Sequence, residues 1–353
     1  MTTPTILILV GITGDLSKRK LLPAIDGLRE KGLLPEKFKL VGVTRRDDAE
    51  LFKMDLDNED DYKRLKEHLE SIEKEWGMTA QRLFYLSVAP TVSMPIIKLL
   101  GQSGLATLPN TKLLLEKPFG TDLENGTELI AQIGKIFSDQ QVYRIDHYLQ
   151  KNSVRALTKQ KVEMENVKQI KVFASEKIGI EGRGDFYEQT GALRDFIQSH
   201  LLEVAAMVID PAHRLEALKS FSVTSPVTRG QYKGYREQVE KPNSMVETFV
   251  SITLQSNGPV IVLKTGKALD KKSTDITITF KDGATQIISL NDSHNAYENV
   301  FQDAMNSDKQ FFVSKEEVLE NWRIIRPIQA AFGTYGEPKE AIELMFYEQG
   351  SAM

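Results

Sequence analysis

The chain has 353 residues, 41% hydrophobic and 27% charged, with 45 Lys and Arg against 49 Asp and Glu, for a net charge of −4. That length allows two domains, each able to bury a core, and the acidic balance argues against nucleic-acid binding, which calls for a basic face. The absence of cysteine excludes disulfides, thiolate metal sites and thiol catalysis.

The N-terminus, MTTPTILILVG, lacks a basic segment, and its apolar run is short and ends in glycine. It reads as a first strand and not as a signal peptide. No apolar run approaches the ~18 residues of a membrane helix. A cytoplasmic protein without a membrane segment is therefore expected.

Residues 5–10, TILILV, form the continuous apolar run of a strand covered on both faces. The turn GITGDLSKRK, residues 11–20, follows and leads into a helical stretch ending near Gly32. Residues 38–43 read as a second strand, and the charged residues from about Asp60 to Glu75 as a helix. Strands at 82–88, 112–116 and 142–145 then alternate with helices near 93–101 and 122–138. Strict alternation predicts right-handed crossovers and a doubly wound parallel sheet, an α/β domain over residues 1–147.

Beyond that point the pattern changes. Residues 167–176 read as a strand and 188–209 as one long helix, followed by strands at 244–255, 260–266, 275–280 and 285–290. Consecutive strands predict a mainly antiparallel sheet with helices on one face, an α+β domain over residues 148–353.

The glycine turn after the first strand would let backbone approach a pyrophosphate at a helix start. Its signature is incomplete, because Thr13 and Ser17 stand where the second and third glycines would fall. The pattern leaves dinucleotide binding and an ordinary helix start both open. At the end of the second strand come Thr44, Arg45 and Arg46. An arginine there accommodates the 2′-phosphate of NADP, whereas an acid would bond the ribose of NAD. LEKPFG, residues 115–120, places Lys117 just past a strand end, where parallel sheets gather ligands; by itself it reads better as a strand-ending turn.

YRIDHYLQK, residues 143–151, concentrates an acid, an imidazole, a phenol and two cations. It is either a solvated loop or an anion pocket beside a proton-transfer group. Phe196, His200 and Val204 are four apart and Leu193 is seven before His200. On a helix this puts His200 on the apolar stripe, as a core histidine or as a general base. KTGKALDKK, residues 264–272, reads by itself as a solvated turn. No spacing of His, Asp and Glu suggests a metal.

Taken together, GITGDLSKRKLLPAI, LFYLSVAPTV, LLEKPFGTDL, RIDHYLQK, EGRGDFYEQTGALRDFIQSHLL, LKTGKAL, AYENVFQD and FFVSKEEVLENWRIIRPI resemble the glucose-6-phosphate dehydrogenase family, in the family's order, from residue 5 to about 340. The resemblance implies a Rossmann-like first domain. It implies His200 as general base and Asp146 as the carboxylate that orients it. His147, Tyr148 and Lys151 match the residues gripping the sugar phosphate, and Lys117 the lysine touching sugar and cofactor. Glu176 and Asp195 fall where sugar hydroxyls are contacted, and Lys267 and Lys272 where further cations are added. Gly11, Thr13, Gly14, Asp15, Leu16 and Arg45 match cofactor contacts.

The implied reaction is oxidation of D-glucose 6-phosphate at C1 to the 6-phosphogluconolactone, with hydride transfer to NADP. This is the first step of the oxidative pentose phosphate pathway. NAD is the other candidate acceptor, and a homodimer is the expected assembly. One rival is a dehydrogenase for another, unphosphorylated sugar, against which His147, Tyr148 and Lys151 speak. The other is a catalytically inactive NADP-binding regulatory homologue, against which Asp146 and His200 weigh. The chain is shorter than typical members, with losses between Arg46 and Arg82, around 158–168 and after Phe280. Gln150 replaces a usual glycine and Ser93 a tyrosine.

Overall fold

The structure, a computed structural model, describes residues 3–108, 110–160, 162–333 and 342–353. It divides into two compact units: Met1–Phe119 with Thr127–Gln150 and His294–Lys315, and Gly120–Gly126 with Lys151–Ser293 and Glu316–Met353.

Among the described residues of the first unit, six strands pair throughout in parallel. These are β1 (Thr5–Val10), β2 (Phe38–Thr44), β3 (Phe52–Lys53), β4 (Gln81–Leu86), β5 (Thr111–Glu116) and β6 (Val142–Ile145). Their order is β3-β2-β1-β4-β5-β6, the doubly wound arrangement whose direction reverses between β1 and β4. Side chains of a strand alternate between faces, so β1 feeds two cores. Ile6, Ile8 and Val10 pack with Tyr62, Leu65 and Leu69 of helix Glu59–Trp76 and with Ile96 and Ile97 of helix Pro90–Gln102. Leu7 and Leu9 pack with Ile25 and Leu28 of helix Leu22–Glu30 and with Val300, Phe301 and Ala304 of helix Ala296–Asn306. Each such side chain, fully buried, contributes about 1.5–3 kcal/mol. Double cover is why β1 carries no polar residue after Thr5. The helix Ala296–Asn306, which completes one layer, comes from the far end of the sequence.

The second unit holds a mixed sheet of β7 (Val167–Ser175), β8 (Ser222–Tyr232), β9 (Phe249–Gln255), β10 (Val260–Gly266), β11 (Ser273–Phe280), β12 (Thr285–Ser289) and β13 (Leu344–Tyr347), in the order β12-β11-β7-β10-β9-β8-β13. Pairing is antiparallel except between β7 and β10 and between β8 and β13. Ile170 and Val172, Ile252 and Leu254, Ile261 and Leu263, and Ile276 and Ile278 are buried, while the residues between them are partly open. This alternation marks a sheet covered on one face.

Three expectations need correction. The strand expected over 244–255 begins only at Phe249, because the preceding residues turn to bond elsewhere: Ser244 N–H donates to Lys241 O and Thr248 N–H to Gly230 O. Strand β8 was not anticipated. Its outer half is polar and interrupted by Pro226, where its register with β9 shifts, so it lacks a clean two-residue period. The single helix expected over 188–209 is three pieces. Gly191, at φ 66° and ψ 173°, breaks it, residues Leu193–Leu201 are π-helical, and Leu202–Ile209 is α-helical. Among the described residues no helix is long and apolar enough to cross a membrane.

Candidate active site

In the first unit the expected residues lie at the carboxyl ends of the parallel strands. Gly11 ends β1 with φ +87°, a conformation open mainly to glycine. A Cβ there would collide with the Ser87 carbonyl oxygen just past β4. Gly14 N–H donates to Gly11 O (2.9 Å), and the Ser17 hydroxyl donates to the same carbonyl (2.9 Å) and lies 3.0 Å from the Ser87 hydroxyl. Ser17, in place of a third glycine, thus ties the turn to β4. The helix opens on a π-helical turn, Ser17–Leu21. Thr13 is partly open, Leu16 packs on the core edge, and Asp15 pairs with Arg19 at 3.5 Å in solvent. Arg45 stands exposed at the end of β2, beside buried Thr44. We expect Gly11→Ala to raise the KM for dinucleotide at least about tenfold, since the loop must move by more than a bond's tolerance; an unchanged KM would place the dinucleotide elsewhere.

Lys117 follows Glu116 at the end of β5, and the Lys117–Pro118 peptide is cis. Glu116 was not foreseen from the sequence. Its carboxylate accepts from the Tyr85 hydroxyl, and the Tyr297 hydroxyl is close enough to act on it. Burial pushes its carboxyl up to about 7, against those two hydroxyls and the charge of Lys117, with Asp146 adding to the rise. Asp146 is 1% exposed at the end of β6, and its carboxylate accepts the Tyr148 N–H (2.8 Å). The His147 ring lies 5.1 Å from the Tyr148 ring and stacks on Tyr297, centroids 6.4 Å apart and planes within 15°. Gln150, where a glycine is usual, is buried and donates to Phe311 O (3.1 Å). YRIDHYLQK is therefore largely interior and not a solvated loop.

The second unit gathers a different set. His200 is 1% exposed on the π-helical segment, whose i→i+5 pattern continues to Leu202 N–H bonding Ile197 O. Such segments recur at functional sites because the extra residue per turn re-aims a side chain. Phe196 meets the imidazole edge to face at 5.6 Å. The segment's start is held by Glu247, whose carboxylate accepts the Leu193 N–H (2.9 Å) and whose carbonyl accepts the Ala192 N–H (3.0 Å). Glu176 and Lys267 form an ion pair, and the Lys267 ammonium lies 5.2 Å over the Tyr187 ring. Lys267 is 2% exposed, so KTGKALDKK is interior through Leu269, and only Asp270, Lys271 and Lys272 form a solvated turn. The charges of Asp195 and Glu176 both act on Tyr187, whose phenol burial already pushes far up. These three expected residues thus share one neighbourhood. Lys272 stands exposed before β11. Lys151 donates to Leu290 O (3.0 Å).

A parallel sheet of this strand order, with a bare glycine turn at its reversal point and an appended mixed sheet, defines a dinucleotide-binding oxidoreductase architecture. Residues 8–51 and 47–156 match the family described as glucose-6-phosphate dehydrogenase, NAD binding domain, and residues 154–294 and 288–352 match its C-terminal domain. The chain belongs to the glucose-6-phosphate dehydrogenase family. It is 32% identical to the glucose-6-phosphate 1-dehydrogenase of Chlamydia pneumoniae over 79% of this chain and 69% of that one. It is 28% identical to that of Chlamydia muridarum over 92% and 90%. Among solved structures, a glucose-6-phosphate dehydrogenase in complex with glucose 6-phosphate superposes with a TM-score of 0.86 at 24% identity, covering 100% of this chain and 96% of that one. The glucose-6-phosphate 1-dehydrogenase of Mycobacterium avium gives 0.82 at 23% identity over 99% and 95%.

Proposed function

We propose that the protein oxidises glucose 6-phosphate at C1, using NADP, and yields the 6-phosphogluconolactone. The observation that carries this reading is a family match across both domains, with Asp146, His147, Tyr148, Lys151 and His200 all retained. In this reading residues 1–147 serve the cofactor and residues 148–353 the sugar.

The residues present fit the dinucleotide. Gly11, with no Cβ, lets the turn close tightly against the Ser87 carbonyl, leaving main chain at the end of the first strand for a pyrophosphate to approach, and exposed Arg45 suits a 2′-phosphate. Bound NADP supplies the hydride acceptor. Gly11, Thr13, Gly14, Asp15, Leu16 and Arg45 would hold it, with Lys117 reaching both cofactor and sugar. His200 takes the proton from the C1 hydroxyl onto its imidazole, and Asp146 holds that ring and stabilises the imidazolium. His147, Tyr148 and Lys151 grip the phosphate, with charge-assisted bonds that a protein of net charge −4 must supply locally. Glu176 and Asp195 meet sugar hydroxyls, and Lys267 and Lys272 add positive charge. Phosphate binding far from C1 spends remote binding energy on orientation. The assembly in this reading is a homodimer in the cytoplasm.

The test is cofactor reduction by purified protein with glucose and glucose 6-phosphate, each with NADP and NAD. Reduction of NADP by glucose 6-phosphate is expected, and preference for plain glucose would overturn the reading. Lys151→Ala should weaken glucose 6-phosphate about tenfold or more, as expected for one lost charge-assisted bond, with little effect on glucose. Equal losses for both sugars would remove Lys151 from the phosphate.

A further inference from the structure

Glu116 is a half-buried ionisable group that the reaction above leaves without a task. It sits at the carboxyl end of β5, and an ionised carboxylate can only accept. The Tyr85 hydroxyl bonded to it must then donate. Tyr85 reaches it from β4. Tyr297 reaches it from the first turn of helix Ala296–Asn306, where Asn295 Oδ1 accepts the Tyr297 N–H at 3.2 Å. Tyr297 is thus held at its backbone, its hydroxyl faces Glu116, and its ring lies parallel to His147. Withdrawing a carboxyl even partly from water is costly where an amide or an apolar residue would pack more cheaply. Keeping it here makes sense if the fixed direction of the Tyr297 hydroxyl matters.

We propose that Glu116 is a positioning residue: by accepting from Tyr297 it fixes the ring that stacks on His147, and so orients His147 for the sugar phosphate. The proposal rests on the assignment of His147 to the phosphate and concerns substrate binding, not the chemical step. The groups facing Glu116 are Tyr85, Tyr297, Lys117 and Asp146. With its carboxyl near 7, Glu116 is the better acceptor above neutrality and loses grip on Tyr297 as pH falls below it.

Glu116→Gln, Tyr297→Phe and the double variant test this. Each single variant should raise the KM for glucose 6-phosphate about tenfold, the usual scale of one hydrogen bond to a charged group, with the KM for NADP unchanged. The double variant should be no worse than either single one, because both remove one link. The KM ratio of Glu116→Gln to wild type should grow as pH rises through about 7, since only wild type gains the ionised acceptor. Additive losses, a shift in the KM for NADP instead, or a ratio flat with pH would overturn the proposal.

Ring-current shifts of the His147 imidazole protons in histidine-labelled protein give a readout that needs no substrate. They should move in Glu116→Gln and Tyr297→Phe, and unmoved resonances would overturn the link. A wild type inert toward glucose 6-phosphate would sink the functional reading alone, while these shifts would still judge the contact. Tyr297→Phe, which leaves Glu116 bonded to Tyr85, decides the matter should Glu116→Gln not fold.

Discussion

Replacing His200 by asparagine is expected to lower kcat by about 10²–10⁴-fold, the range for loss of a general base, while glucose 6-phosphate and NADP still bind. Asparagine keeps a polar side chain in a site 1% exposed but cannot take a proton near neutral pH. The packing around it, Phe196 edge-on at 5.6 Å and the π-helical backbone, does not depend on the imidazole's charge. The change should therefore act on the chemical step and leave the fold intact. Steady-state kinetics and substrate binding on the same preparation separate these effects. The variant should also lose the acid limb of the kcat/KM profile that the base produces in wild type. Near-normal turnover would move the base to another residue.

Gly191→Ala should be the most damaging small substitution near that helix. At φ 66° and ψ 173° the backbone lies in a region essentially restricted to glycine, worth about 1–3 kcal/mol of strain for another residue. The new Cβ would also stand 2.5 Å from a Glu247 carboxylate oxygen, the atom that accepts the Leu193 N–H. Displacing it costs about 1.5–3 kcal/mol more, as a lost bond to an ionisable group. Together these come to about 2.5–6 kcal/mol, and a fall in Tm of roughly 5–24 °C is expected at about 2–4 °C per kcal/mol. A fall in kcat should accompany it, because the segment bearing His200 begins at that cap. A Tm within about a degree of wild type would show that Glu247 moves aside freely.

The same helix illustrates what a linear reading misses. The spacing of Leu193, Phe196, His200 and Val204 correctly announces burial of His200, because apolar side chains recur at the helical period. It does not announce that residues Leu193–Leu201 wind with an extra residue per turn. That depends on Gly191 and on Glu247, more than fifty residues away in the chain. Strand β8 escaped for a related reason: its polar half pairs through backbone groups, which leave no mark on side-chain order.

Much of the first unit was written locally. The run TILILV demands cover on both faces, and the alternation that follows demands parallel crossovers, since side-chain direction repeats every two residues in a strand and every 3.6 in a helix. The cluster RIDHY was legible too, because its members are neighbours in sequence. What joins residues far apart was not. Helix Ala296–Asn306 returns to cover β1, Lys267 folds inward onto Glu176 and Tyr187, and Glu116 meets hydroxyls from positions 85 and 297. Such contacts are selected by shape and by the need to satisfy buried polar groups in three dimensions. Local periodicity carries no term for either, so the motifs could name the chemistry while only the folded chain decided which side chains hold them in place.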